Sequence, residues 1–196
     1  MLIRRYIMTS TVQICNLALT RIGASTITSL SDGTRESNLC NTIYEDIAEE
    51  VMSEGEWSTC TFRQTLNQTT NTPAYEYTYE YQLPTNPRWL KFIEISGDRL
   101  NDLEYAIEED KLLTNESTVK CKYIGYLEDT SKYGPYLKAA IVSRLAHELS
   151  YSITGSGVNS DRLYQRYQLD LRKGLALDGQ QGSGVYIYSD DFTKVR

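Results

Sequence analysis

Two hydrophobic periods divide this chain. Near the start, Cys15, Ala18, Leu19 and Ile22 recur at helical spacing behind Ser10, which with Gln13 forms a Ser-x-x-Gln capping box, and Gly23 supplies a left-handed stop. A second helix is predicted from about Thr34 to Glu54. Leu39, Ile43, Ile47 and Val51 make one stripe, which Cys40, Tyr44, Ala48 and Met52 widen into a broad buried face ended by Gly55. From Trp57 the period changes to two. Tyr75, Tyr77, Tyr79 and Tyr81 alternate with Glu76, Thr78, Glu80 and Gln82, predicting a strand with one aromatic face that Leu83-Pro84 and Asn86-Pro87 terminate. Further strands are expected at Trp89 to Ile95, Leu103 to Ile107 and Val119 to Tyr126, with a polar turn near Thr114 to Glu116. Helical spacing then returns. Tyr133-Gly134-Pro135 opens a third helix with Leu137, Ile141, Leu145 and Leu149 in register, ending near Ile153. A fourth starts at Asn159 or Ser160 and carries Leu163, Tyr167, Leu171 and Leu175.

This order predicts an α+β fold: a four-helix bundle built from both ends of the chain, with a small, mostly antiparallel β lobe inserted in the middle. The boundaries expected are 9–56 plus 132–177 for the discontinuous bundle and 57–131 for the lobe. Residues 178–196 form a C-terminal docking tail and 1–8 an N-terminal extension, read either as ordered or as an upstream translation start. The tail is rich in Gly, Ser and Asp but holds Tyr186, Ile187, Tyr188 and Phe192, too few to build a core alone and suited to docking on something else.

The 196 residues fit one domain, or one domain with an inserted lobe. The net charge of −6 argues against a nucleic-acid binder that needs a basic face to displace phosphate counterions, though not against a surface that DNA only passes. Much of the acid lies on the second helix, as Glu36, Glu45, Asp46, Glu49, Glu50 and Glu54, with only Arg35 opposing it there. Such a run reads as a solvated face or, more sharply, as an acidic wall turned toward something specific. No run of eighteen apolar residues marks a membrane span, and the start lacks the apolar core and cleavage site of a signal peptide. Cys15, Cys40, Cys60 and Cys121 include no Cys-x-x-Cys pair. They are expected as reduced, buried thiols.

Candidate chemistry is sparse. The single histidine, His147, stands in Ala-His-Glu-Leu-Ser, where Tyr151 replaces the second ligand of a His-Glu-x-x-His zinc motif; a helix-packing role is expected for it. Acidic pairs such as Glu108-Glu109 and Asp190-Asp191 have no cleft assigned to them, and no phosphate-binding glycine loop follows a strand. No catalytic group, cofactor or metal ligand is therefore assigned. The unusual count is tyrosine, sixteen against three Phe and two Trp. Tyrosine buries area and keeps a polar tip, so Tyr75, Tyr77, Tyr79 and Tyr81 either cover the lobe's own core or meet another subunit or a tail nozzle.

Several segments in order resemble the tail tubular protein A family, head-to-tail adaptors of short-tailed bacteriophages. They are Ile14 to Gly23, Glu54-Gly-Glu-Trp57, Tyr81-Gln-Leu-Pro84 with Trp89 to Ile93, and Ala140 to Leu149 with Ile153-Thr-Gly155, spanning about Thr9 to Leu177. The resemblance implies a non-enzymatic structural virion protein of the tail, made in the host cytoplasm. Twelve copies would form a ring between the portal protein and the tail nozzle, serve as a platform for fibres, and pass DNA through the lumen without specific binding. On that expectation Glu45, Glu49 and Glu50 line or approach the channel, and Tyr186, Ile187, Tyr188 and Phe192 dock on the portal. Two other readings stand beside it: an envelope- or polysaccharide-degrading hydrolase activity of a tail protein, and a generic interaction module.

Overall fold

The computed structural model describes residues 10–95, 103–155 and 157–180. Within them, four α-helices and seven strands follow in the order α1 (Thr11–Arg21), α2 (Arg35–Glu54), β1 (Thr61–Thr65), β2 (Asn67–Gln68), β3 (Tyr79–Gln82), β4 (Trp89–Ile95), β5 (Tyr105–Glu108), β6 (Lys111–Thr114), β7 (Lys120–Gly125), α3 (Pro135–Thr154) and α4 (Gly157–Gly179). The α+β architecture is as the sequence predicts: the helix pairs from the two ends pack together and the strands lie between them in sequence.

Local chemistry sets the helix bounds. Ser10 Oγ accepts from Gln13 N at 3.2 Å to start α1, and Gly23 at φ +74 turns the chain out after it. Thr34 caps α2 in the same way, accepting from Ser37 N at 3.1 Å. Pro135 opens α3, where its missing N–H costs nothing. α4 begins at Gly157, two residues before the expected start.

α3 is the hub. Leu137, Ala140, Ile141, Val142, Leu145, Ala146 and Leu149 are all buried, so apolar positions cover most of its circumference, as a helix enclosed by neighbours requires. α1, α2 and α4 each pack against it.

The strands of the expected β lobe form two antiparallel sheets. The inner sheet has the order β1-β7-β4 and the outer sheet β2-β3-β6-β5. β1 and β2 are separated only by Leu66, so the chain passes from one sheet to the other there. Because side chains alternate along a strand, the inner sheet serves two cores. Ile124, with Leu90 and Ile93, packs into the helical core; Cys121, Tyr123 and Phe92 pack with Tyr81 and Leu112 of the outer sheet. The molecule is thus layered as helices, inner sheet, outer sheet. The helical core also takes in Trp57, Cys60 and Leu127 from the segment between α2 and α3.

The long tyrosine strand is shorter than predicted. Only Tyr79–Gln82 is paired, because its partner β6 is itself four residues long, and Asn115 Oδ1 accepts from Thr78 N at 3.0 Å where the ladder ends. Glu76 sits at φ +70, which breaks the alternation.

Candidate interaction surfaces

Three polar junctions knit the two ends of the chain. The first centres on Arg144 of α3. Its Nε donates to Glu50 Oε1 of α2 at 3.1 Å, and one terminal nitrogen donates to Glu148 and, at 2.9 Å, to His147 Nδ1. The guanidinium lies 5.9 Å from the ring centre of Tyr167, whose hydroxyl donates to Glu54 Oε2 at 2.6 Å. α2, α3 and α4 therefore meet at one cation. Arginine only donates, so Nδ1 of His147 is an acceptor and the neutral ring carries its proton on Nε2. Burial first, and Arg144 second, hold His147 below its ordinary pKa. Its ring packs 5.1 Å from that of Tyr164 on α4, in keeping with the helix-packing role read from sequence.

The second junction ties α1 to α4 across α3. Ser143 Oγ donates to Asp170 Oδ2 at 2.6 Å and is itself bonded by Arg21, while Arg166 Nε donates to the same carboxylate oxygen at 3.1 Å. The third explains the Gly-Glu-Trp sequence. Trp57 is fully buried, and its Nε1 donates to Val51 O at 2.9 Å. Its ring rests where a side chain on Gly174 would begin, 3.0 Å away. A Cβ on Gly55 would stand 2.1 Å from Leu175 Cδ2, so a side chain at residue 55 would push Leu175 out of its place against the end of α2. Asp178 completes the seat, accepting from Ser58 N at 2.6 Å and Ser58 Oγ at 3.0 Å.

The four thiols are buried and unpaired. Burial pushes Cys60 up to about 12 and Cys121 up to about 11, which keeps them as thiols rather than nucleophilic thiolates. No group of three or more His, Cys, Asp or Glu among the described residues is placed to hold a metal ion. Among the described residues no helix is long and apolar enough to cross a membrane.

The acidic residues of α2 do not form one free wall. Glu49 accepts two hydrogen bonds from Arg88, at 2.9 and 2.7 Å, and Glu50 belongs to Arg144. The opposing cations come from 39 and 94 residues along the chain, beyond the reach of any reading confined to the helix. Glu45 and Asp46 remain exposed, and Glu45 borders a shallow groove of about 360 Å³ with Leu30, Tyr44, Tyr126 and Glu128.

The four tyrosines part company as well. Tyr81 is buried between the sheets with its hydroxyl donating to Glu116 O at 2.8 Å, Tyr77 and Tyr79 are half-buried, and Tyr75 is 80% exposed. They do not present a single aromatic face. Tyr186, Ile187, Tyr188 and Phe192 lie outside the described residues.

One surface escaped the sequence reading. α4 was followed by its leucine stripe alone, yet Arg162, Arg166, Arg172 and Lys173 occupy a second, exposed stripe. Their spacing of four, six and one was the signal.

No known protein-family model matches this chain, and no curated protein matches it significantly.

Proposed function

We propose that the chain is a structural subunit of a phage tail, a head-to-tail adaptor that assembles as a ring between portal and nozzle and continues the channel for DNA. One observation supports this above the others: the segments that resemble tail tubular protein A fall at positions that fix the architecture, two of them where the two ends of the chain are joined. Ile22-Gly23 ends α1. Gly55-Glu56-Trp57 is the seat of α4. Ala140 to Leu149 is the hub, with Arg144 and His147 at the crossing of three helices. Tyr81 and Leu83 fill the space between the sheets. Residues that carry a resemblance and also fix an architecture are better support than the same residues scattered over a surface.

Negative-stain electron microscopy of the purified chain mixed with its cognate portal tests the reading. A collar of added density at one end of the portal is expected; portal particles unchanged at saturating chain would end it. The portal-docking role proposed for Tyr186, Ile187, Tyr188 and Phe192 is tested in the same preparation. A chain truncated after Gln180 is expected to lose the collar, and full decoration by that chain removes the tail from the proposal.

A further inference from the structure

α4 shows two stripes. Leu163, Tyr167, Leu171 and Leu175 pack on the helical core. Arg162, Gln165, Arg166, Leu169, Arg172 and Lys173 recur at intervals of three and four and are all exposed, so they share the opposite face. Asp170 is turned inward to Ser143, and Asp161, the exposed carboxylate of α4, stands at the edge of this face one turn before Gln165. Arg166 bonds to Asp170 and Arg172 to Gln168, both within α4, while Arg162 and Lys173 bond to no other described residue. At the centre stands Leu169, 63% exposed. A shallow groove of about 460 Å³ runs along this face beside Arg21. Four cations around an apolar centre are conspicuous in a chain of net charge −6.

The same chain carries a complementary surface. Glu45 and Asp46 stand on the exposed side of α2, and Glu45 and Glu128 flank a groove floored by Leu30, Tyr44 and Tyr126. We infer that the basic face of α4 docks on this acidic groove of a second copy, with Leu169 entering between the two tyrosines. An exposed leucine ringed by charge is the plan of a protein interface, an apolar centre within a polar rim. A phosphate backbone would bond the arginines but offer the leucine nothing. Since the two patches differ, the contact is head-to-tail, and it closes into a ring or runs on as a filament according to the rotation between copies. For closure it rests on the proposed ring; for the pairing of faces it does not. The pairing moves Glu45 from the channel wall to the seam between copies.

The test uses exposed residues outside the three junctions. One variant carries Arg162→Glu and Lys173→Glu; another carries Glu45→Lys and Glu128→Lys; a third carries all four. Sedimentation velocity at low ionic strength should show wild type associating beyond the dimer, less so as salt is added. Each two-site variant alone should be monomeric. Mixed in equal amounts, the two should stop at dimers, because each retains one of the two faces, and the four-site variant should regain wild-type association. Thermal melts matching wild type show that the variants fold. Wild type that stays monomeric at high concentration and low salt, two-site variants that associate as wild type does, or a mixture that makes no dimer would each overturn the pairing. Loss of duplex DNA binding by the α4 variant with self-association intact would assign the face to nucleic acid instead. A collar on the portal formed equally well by both two-site variants leaves the adaptor and removes the faces; dimers in the mixture with no collar on the portal do the reverse.

Discussion

The helical body and the outer sheet solve the same problem by different means. In the body, elements from opposite ends of the chain meet through a few polar groups of fixed geometry: Arg144 among three helices, Arg21 on Ser143, and Asp178 on Ser58. In the outer sheet, strands from the middle of the chain meet through aromatic and aliphatic bulk, Tyr81 against Leu112 with Tyr79 and Tyr105 at the edge. The difference follows from chain length. α4 must find one seat on α2 after the lobe has intervened, and an apolar stripe alone tolerates sliding by a turn, whereas a carboxylate bonded to one serine does not. β5 and β6 are joined by Glu109-Asp110 alone, so their register is set locally, and where β3 joins β6 across the segment that holds β4 and β5, the bulk of Tyr81 and Leu112 suffices.

The largest effect is expected at Trp57. Trp57→Ala removes a fully buried ring, the bond to Val51 O and the surface on which Gly174 rests, and should cost about 3–5 kcal/mol in denaturant unfolding. The loss should appear in all four helices together, because the residue joins both ends. If α1 and α2 keep wild-type hydrogen-exchange protection while α4 alone opens, the body is two units and the contrast with the outer sheet narrows.

Tyr81→Ala should come next, at about 3 kcal/mol, and should be confined. Protection is expected to fall in β2, β3, β5 and β6 while β7 holds, since Ile124 anchors β7 in the helical core. Loss spreading equally into β7 would mean that the boundary between regions lies between helices and sheets rather than between the two sheets.

Helical parts were legible in the sequence because both their caps and their buried stripes are local. Ser10, Thr34 and Pro135 mark starts that the structure uses, and Leu137, Ile141, Leu145 and Leu149 are all in the core. The sheets were less legible. β6, Lys-Leu-Leu-Thr, is buried at three successive positions and so shows no alternation, while β1 and β2 are mostly polar. Tyr75 and Tyr77 alternate well but find no partner strand, since pairing is a property of the other chain segment. The candidate surfaces were least legible. Whether Glu49 and Glu50 are free depends on Arg88 and Arg144, and the basic face of α4 emerges only when the leucine stripe is seen to be fully occupied.

The third prediction reads a slope. Burial, then Arg144, hold His147 below its ordinary 6.5. A histidine whose folded pKa is depressed stabilises the fold fully above the unfolded value, and that contribution is lost as pH falls toward the folded one, because the unfolded chain binds the proton first. Thermal midpoints should therefore drop between pH 7 and 5, and His147→Gln should flatten the drop. An equal slope in the variant would place the pH sensitivity elsewhere, and the Arg144 junction would then be indifferent to the charge of its neighbour.

Smaller still is the pair that ties α2 to the turn before β4. Arg88 grips Glu49 with two bonds and lies 5.2 Å over the ring of Tyr126, but its side chain is 48% exposed and that of Glu49 is 35% exposed. Solvent screens such a pair, so a double-mutant cycle with Arg88→Ala and Glu49→Ala should give a coupling of about 0.2–1 kcal/mol that shrinks with added salt. The size of this coupling decides what Glu49 is. Within that range it is a strut from the body to the lobe, and its charge is spent inside the protomer. A coupling of zero would free Glu49 to stand with Glu45 and Asp46 as one acidic surface, and the acidic wall expected of α2 would extend a further turn toward whatever the molecule meets.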